Sequence, residues 1–138
     1  MNKIFNNLNY GIIGNCKSSA LIYKDSSIDW CCMPQFDSPS AFGKILDKKK
    51  GGHFKIICDK SYTINQSYYN NTCVLITNFK NSDNEFDVID FMPRYEIENS
   101  SFYSSPEIIR LLKIKKGKPK IRIDYNPSLE YAIGETIN

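Results

Sequence analysis

Short apolar runs separated by turn residues dominate the chain, and no segment shows a long helical period. The segment "SALIYKDSSIDWCC" predicts two strands, 19–24 and Ile28–Cys32, joined by a tight polar turn at 25–27. Downstream, residues 40–46 fit one or two turns of helix, with Ser40 as the N-cap.

The second half of the chain carries two hairpin patterns. In "TCVLITNFKNSDNEFDVIDF" the apolar runs 73–79 and 85–91 flank a polar turn, which predicts a hairpin. In "EIIRLLKIKKGKPKIRIDY" the runs 108–114 and 120–125 flank Gly117-Lys118-Pro119, which predicts a second hairpin. The run 120–125 alternates apolar and polar residues, which is the pattern of a strand with one buried and one solvent-exposed face.

Two further segments complete the prediction. Residues 53–58 read as a strand that follows the glycine pair of "KKKGGHFKIIC", whereas 92–106 are polar and we expect them to be irregular. About seven short strands at hairpin spacing predict an all-β fold, an antiparallel β-sandwich. The length of 138 residues and the hydrophobic share of 41% suit one domain with a buried core.

Composition and charge narrow the classes of partner. The net charge of +3, from 18 basic and 15 acidic residues, is too small to indicate a nucleic-acid partner. The lysines at 48–50 and around the second hairpin lack interleaved aromatic residues, so we interpret them as solvated strand ends. The first residues include no long apolar run, so we expect neither a signal peptide nor a membrane span.

The cysteines predict a reducing compartment rather than a metal site. They are odd in number and match no zinc spacing, so we expect reduced thiols in a cytoplasmic protein. Adjacent cysteines in a strand point to opposite faces and cannot share a ligand. We therefore expect no metal and no cofactor. The five positions are Cys16, Cys31, Cys32, Cys58 and Cys73.

Candidate catalytic residues are few. His53 is the only histidine and has no Gly-x-Ser-x-Gly companion, so nucleophilic catalysis lacks support. Glycosidase chemistry would need two carboxyl groups across a sugar. Asp37 and Asp90 shortly precede prolines, where a carboxylate caps a turn, and Asp29 and Asp87 lie on predicted strands. Each carboxylate has a structural explanation, so we expect no catalytic residue in this chain.

The stretch "SIDWCCMPQFDSPSAFGKIL" leaves two interpretations open. A tryptophan in a sandwich strand usually belongs to the core, which would bury Trp30. Alternatively, Trp30, Phe36 and Phe42 form an apolar plate for a partner surface or a sugar ring.

The chain resembles a known family over nearly its whole length. The stretch "YGIIGNCKSSALIYKDSSIDWCCMPQFDSPSAFGKIL" resembles the opening of trehalase-like and glucoamylase-like glycoside hydrolases (glycoside hydrolase family 15). The resemblance continues, in order, through "QSYYNNTCVLITNF", "FDVIDFMPR" and "IIRLLKIKKGKPKIRIDYNPSLEYA". It implies an N-terminal β-sandwich of the super-sandwich type, followed in the family by an (α/α)6 barrel that carries both catalytic glutamates.

This resemblance implies that 1–138 form a single non-catalytic N-terminal domain. The sequence matches none of the barrel motifs, and from the resemblance we expect the sandwich to stop at "LEYAIGETIN", before its remaining strands. The implied partner is a glycoside hydrolase barrel, in the same or a separate chain, and an α-glucoside is the implied substrate. The residues expected to face the barrel or the substrate are Trp30, Gln35, Phe36 and Asp37.

Three positions depart from the family pattern. Gln35 replaces an arginine, and an amide cannot reproduce the bidentate fork of a guanidinium. Ser26 replaces a turn glycine, a mild change if the turn avoids positive φ. Asn15 replaces an acid, which keeps an acceptor and loses a charge. Two alternatives stay open: a free-standing carbohydrate- or protein-binding module, and an inactive truncated gene product.

Overall fold

The computed structural model describes residues 9–132 as two antiparallel β-sheets packed face to face, with a separate β-hairpin. Two short 3-10 turns, Glu98–Ser100 and Glu130–Ala132, accompany the strands. The strands in chain order are β1 (Tyr10–Gly14), β2 (Ser19–Tyr23), β3 (Ile28–Cys32), β4 (Ser40–Phe42), β5 (His53–Ile57), β6 (Thr63–Tyr68), β7 (Leu75–Lys80), β8 (Glu85–Phe91), β9 (Arg94–Ile97), β10 (Ser101–Ser104), β11 (Ile109–Lys116) and β12 (Arg122–Asn126).

The strand order defines the sandwich. The first sheet has the order β1-β2-β3-β5-β12, with β4 paired to β3, and the second has the order β11-β8-β7-β6. Strands β9 and β10 pair with each other. Every pairing is antiparallel, and the predicted all-β, antiparallel sandwich is confirmed. No helix among residues 9–132 is long and apolar enough to cross a membrane.

The core lies between the sheets, because alternate residues of each central strand point inward. In β7 and β8, Phe79 lies opposite Phe86, and their rings stack with centroids 4.7 Å apart. Burying two such rings removes a large apolar area from water, which stabilises the sheet pair. Two clusters combine residues of both sheets. The first includes Ile13, Ile22, Ile28 and Leu75, and the second includes Ile56, Phe79, Phe86 and Val88.

Several predicted elements are confirmed. The two strands joined by a turn at 25–27 are β2 and β3, and the strand predicted at 53–58 is β5. The first predicted hairpin is β7 with β8, paired from Leu75 with Asp90 to Lys80 with Glu85.

The second predicted hairpin is wrong. Both of its strands exist, but β11 pairs with β8 of the second sheet and β12 pairs with β5 of the first. The turn between β11 and β12 binds the turn between β7 and β8, since the Lys118 N–H donates to Asn84 Oδ1 (2.8 Å). Strand β12 is also an edge, which leaves Ile123 57% and Tyr125 61% exposed in place of the predicted buried face.

Two local predictions are also wrong. The helix expected at 40–46 is strand β4 followed by turns, because Phe42 pairs with Cys31 and is buried against β3. Burial against a neighbouring strand overrides a weak helical preference. The segment 92–106, expected to be irregular, contains the hairpin of β9 and β10. Its reversal is made by Asn99 and Ser100, which both adopt positive φ (58° and 57°).

A buried ion pair connects the two sheets. Arg110 lies opposite Asp90 and binds it in bidentate fashion, with Nε–Oδ1 2.7 Å and Nη2–Oδ2 3.0 Å. The same guanidinium donates to the Phe54 carbonyl (3.0 Å) of β5 in the first sheet and to the Ser26 carbonyl (2.6 Å) in the turn between β2 and β3. The two side chains are 4% and 0% exposed. The expectation that Asp90 caps a turn is therefore wrong, because its carboxylate is the partner of Arg110.

Replacing Arg110 should cost far more stability than replacing a surface lysine. Arg110→Met leaves Asp90 buried without its counter-ion, so we expect the free energy of unfolding to fall by about 3–5 kcal/mol. The control is Lys115→Met, which removes a half-exposed partner of Asp87 (2.8 Å) and should cost less than about 1 kcal/mol. Urea unfolding followed by circular dichroism measures both, and equal losses would contradict this assignment.

Candidate functional site

The loop at 33–39, between β3 and β4, is a structured corner. Its backbone is fixed at one side by the Phe36 N–H, which donates to the Lys17 carbonyl (2.9 Å). Within the loop, the Ser38 N–H donates to the Gln35 carbonyl (3.1 Å) and the Gln35 N–H donates to Ser38 Oγ (3.1 Å). These bonds fix the backbone of the corner.

The structure exposes three of the four predicted site residues. Gln35, Phe36 and Asp37 are exposed, and Phe36 retains 60% of its accessible surface. Within residues 9–132 the Asp37 carboxylate makes no hydrogen bond or ion pair, and Ser38 closes the turn instead. The turn-capping role predicted for Asp37 is therefore wrong. Trp30, the fourth residue, lies half-buried on β3.

Trp30 packs on an aromatic residue from the end of the described chain. Its ring centroid lies 6.4 Å from that of Tyr131. Trp30 pairs in register with Leu21, between the core residues Ala20 and Ile22, so it lies on the outer face of the first sheet. Trp30 is thus not a member of either core cluster.

The predicted plate of Trp30, Phe36 and Phe42 does not form. Phe42 is 6% exposed, belongs to the first core cluster, and meets the ring of the edge-strand residue Tyr125 edge-on at 6.0 Å. Tyr131 stands beside Trp30 instead, and sequence reasoning missed it. The two residues are far apart in the chain, and no local pattern links them.

Lys17 links the corner to exposed aromatic side chains of the hairpin. Lys17, which accepts the Phe36 N–H, places its Nζ 5.9 Å from the ring centroid of Tyr103. Tyr103 packs on Tyr95 with centroids 5.4 Å apart, and both are about half exposed. We call the following set the aromatic face: Trp30, Phe36, Tyr95, Tyr103 and Tyr131.

Asn15 anchors the hairpin that carries part of this face. Its Nδ2 donates to the carbonyls of Ser105 (2.7 Å) and Pro93 (3.3 Å), which bracket the hairpin. Its Oδ1 accepts the N–H groups of Lys17 and Ser18, both at 3.1 Å. A carboxylate at this position, which the family pattern favours, could not donate to the two carbonyls. The change from an acid to Asn15 therefore supplies two bonds besides removing a charge.

Ser26, the second departure from the family pattern, occupies a backbone conformation that favours glycine. Its φ is +66°, so the condition for a mild replacement is not met. A non-glycine residue there carries a strain of roughly 1–3 kcal/mol. Its carbonyl nevertheless accepts the Arg110 guanidinium, which holds the turn in place.

The remaining candidate acids are bound by protein groups. Asp29 accepts hydrogen bonds from the hydroxyls of Tyr10 (3.1 Å) and Ser27 and lies 3.3 Å from Lys44 Nζ. Asp87 is bound by Asn78 and Lys115. These bonds account for the burial of both carboxylates.

The thiols and the histidine also have structural settings. The five cysteines are free, and burial raises the pKa of Cys31 to about 11, so it stays a thiol. His53 Nε2 lies 3.0 Å from Asp124 Oδ2. Residues 9–132 contain no group of three or more side chains that could hold a metal ion.

The Tyr10–Asp29 contact predicts a pH dependence of stability. Burial raises the pKa of Tyr10 to about 12, and the Asp29 carboxylate adds to the shift. From about pH 10 to 12 the unfolded chain releases this proton while the folded protein keeps it, so the free energy of unfolding should fall as pH rises. Tyr10→Phe should show a shallower fall in urea unfolding across this range, with Tyr69→Phe, at an exposed turn, as the matched control. Identical pH profiles for the two variants would contradict the prediction.

Comparison with known proteins gives a consistent result. Residues 8–136 match the family model described as trehalase-like, N-terminal. The chain is 37% identical over 125 residues to a trehalase of Thermoplasma volcanium, covering 88% of this chain and 20% of the relative. It is 38% identical over 115 residues to a trehalase of Thermoplasma acidophilum, covering 81% of this chain and 19% of the relative. It is 36% identical over 126 residues to trehalase 2 of Sulfolobus acidocaldarius, covering 91% of this chain and 19% of the relative.

The chain thus spans about a fifth of the length of these curated relatives. The search of solved structures gave no significant match. The trehalase-like part of the sequence resemblance is confirmed, whereas the glucoamylase part stays a prediction.

Proposed function

The chain belongs to the trehalase-like N-terminal domain family, and we propose that it is the non-catalytic β-sandwich of a trehalase- or glucoamylase-type inverting glycoside hydrolase. In this proposal residues 1–138 form one domain, which packs on a catalytic (α/α)6 barrel of the same or a separate cytoplasmic chain. Gln35 and Asp37 border the contact, beside the exposed ring of Phe36.

The aromatic face is the observation that carries the proposal. Soluble proteins rarely expose large contiguous apolar patches unless these contact a partner. Aromatic residues are also enriched in the buried centres of protein interfaces. Here a backbone hydrogen bond anchors the corner that carries Phe36, and Asn15 anchors the hairpin that carries Tyr95 and Tyr103, so these exposed rings project from an anchored backbone.

The proposed substrate of the assembled enzyme is an α-glucoside such as trehalose. The support comes from the relatives, which are named trehalases and are about five times longer than the aligned region. Within the described residues, the buried carboxylates are all bound to protein groups, which is consistent with catalysis by a different domain. A free-standing carbohydrate-binding module is the alternative, favoured by the half-exposed Tyr131 beside Trp30.

Two activity measurements test the proposal. The purified chain alone should release no glucose from trehalose or maltose, because it supplies no catalytic residue. A chimera in which the chain replaces the matching segment of the Thermoplasma volcanium trehalase should hydrolyse trehalose, because the sandwich restores the docking surface. Turnover by the chain alone, or a folded but inactive chimera, would refute the proposal.

The aromatic face can be tested within the same chimera. Phe36→Ser should lower the melting temperature and the trehalase activity, since truncating a buried interface aromatic typically costs about 2 kcal/mol or more. Leu111→Ser is the matched control, because Leu111 is 50% exposed on an edge strand of the second sheet. The proposed contact predicts a larger loss for Phe36→Ser, and equal effects would argue against it.

A further inference from the structure

A small pocket lies next to the aromatic face. Its volume is about 250 Å³, and it opens between the β4 strand, the turns that follow it and the ring of Tyr131. Tyr131 in turn packs on Trp30, so the pocket shares a wall with the aromatic face. The residues that line it are Ser40, Gly43, Leu46, Asp47, Lys50, Gly51 and Tyr131.

The pocket wall contains a buried hydroxyl with no partner. Ser40 is 1% exposed, and its Oγ makes no hydrogen bond to any described residue. It lies 3.3 Å from the point where a Cβ on Gly43 would sit, so the absence of that side chain keeps space open beside it. Buried hydroxyls in folded proteins are nearly always satisfied, by protein, water or ligand. The Ser40 hydroxyl is therefore a ready donor and acceptor for a small polar ligand.

The pocket is lined by one acidic residue, Asp47, and one basic residue, Lys50. The N–H groups of Lys50 (3.0 Å) and Lys49 (2.8 Å) donate to Asp47 Oδ1, and these bonds lower the pKa of Asp47. The side chain therefore stays a carboxylate, which only accepts hydrogen bonds, whereas the Lys50 ammonium only donates them. A neutral ligand whose groups both donate and accept fits this pair better than an anion or a cation.

The apolar part of the pocket suits a ring. Tyr131 is 50% exposed and Leu46 is 72% exposed, so both offer apolar surface at the mouth. Binding sites for small molecules typically combine such surface with a few placed polar groups. The volume lies just below the ~300–1,000 Å³ of sites for drug-sized ligands, which favours a single ring over a longer molecule.

We propose that this pocket binds one pyranose ring, with Ser40, Asp47 and Lys50 contacting its hydroxyls and Tyr131 contacting its face. The class of ligand follows from the pocket, and the choice of glucose as the first probe rests on the proposed function. The site belongs to the sandwich itself and needs no residue from a barrel.

Saturation-transfer NMR on the full 138-residue chain, titrated with glucose, tests the proposal. We expect a saturable signal, and Lys50→Met should raise the Kd roughly tenfold, as the loss of one charge-assisted hydrogen bond would. Ser40→Ala should weaken binding while leaving the melting temperature unchanged or higher, because it removes a hydroxyl that has no hydrogen-bond partner among residues 9–132.

The matched controls are Ser26→Ala and Lys48→Met. Ser26 Oγ is the other buried hydroxyl without a partner among the described residues, and neither Ser26 nor Lys48 lines the pocket. Wild-type binding by both controls, with weaker binding by the two pocket variants, would support the site. No saturable signal, or the same Kd in all four variants, would overturn it. An active chimera with no glucose binding would refute the pocket alone, whereas glucose binding with an inactive chimera would refute the barrel partnership alone.

Discussion

The buried guanidinium of Arg110 holds the two sheets in one relative position. Apolar packing between sheets is not directional, so by itself it tolerates small shifts of one sheet over the other. Arg110 makes a bidentate bond to Asp90 in one sheet, and it bonds the carbonyls of Phe54 in the other sheet and of Ser26 in the β2–β3 turn. These bonds remove that freedom. Because the pair is buried, it contributes more to fixing the relative position of the sheets than to the net free energy of unfolding.

The positions of the surface groups follow from that placement. The Ser26 carbonyl belongs to the turn that leads into β3, and β3 carries Trp30. The Met33–Pro34 peptide at the start of the corner is cis. Asn15 then ties the β9–β10 hairpin to the turn that follows β1, which brings its exposed tyrosines next to the corner. Buried polar contacts thus anchor the turn that leads into β3 and the hairpin that carries Tyr95 and Tyr103.

These contacts are consistent with the proposal that the sandwich supplies binding surface while the barrel supplies the catalytic residues. The buried acids Asp29, Asp87 and Asp90 are all bound to protein groups. The exposed rings and the pocket beside Tyr131 are the groups that remain available for a partner or a sugar. In the proposed function, the sandwich supports the barrel and also contributes binding surface.

The sequence by itself determined the class of fold and two local hairpins, β2–β3 and β7–β8, because strand alternation and polar turns are properties of neighbouring residues. It missed the hairpin of β9 and β10, whose segment is polar. The motifs of the corner also pointed to the family. Only the tertiary structure decided that β11 and β12 join different sheets, that residues 40–42 form a strand, and that Tyr131 lies beside Trp30. The reason is physical: pairing between distant strands and burial on a neighbour depend on contacts that no local window of sequence contains.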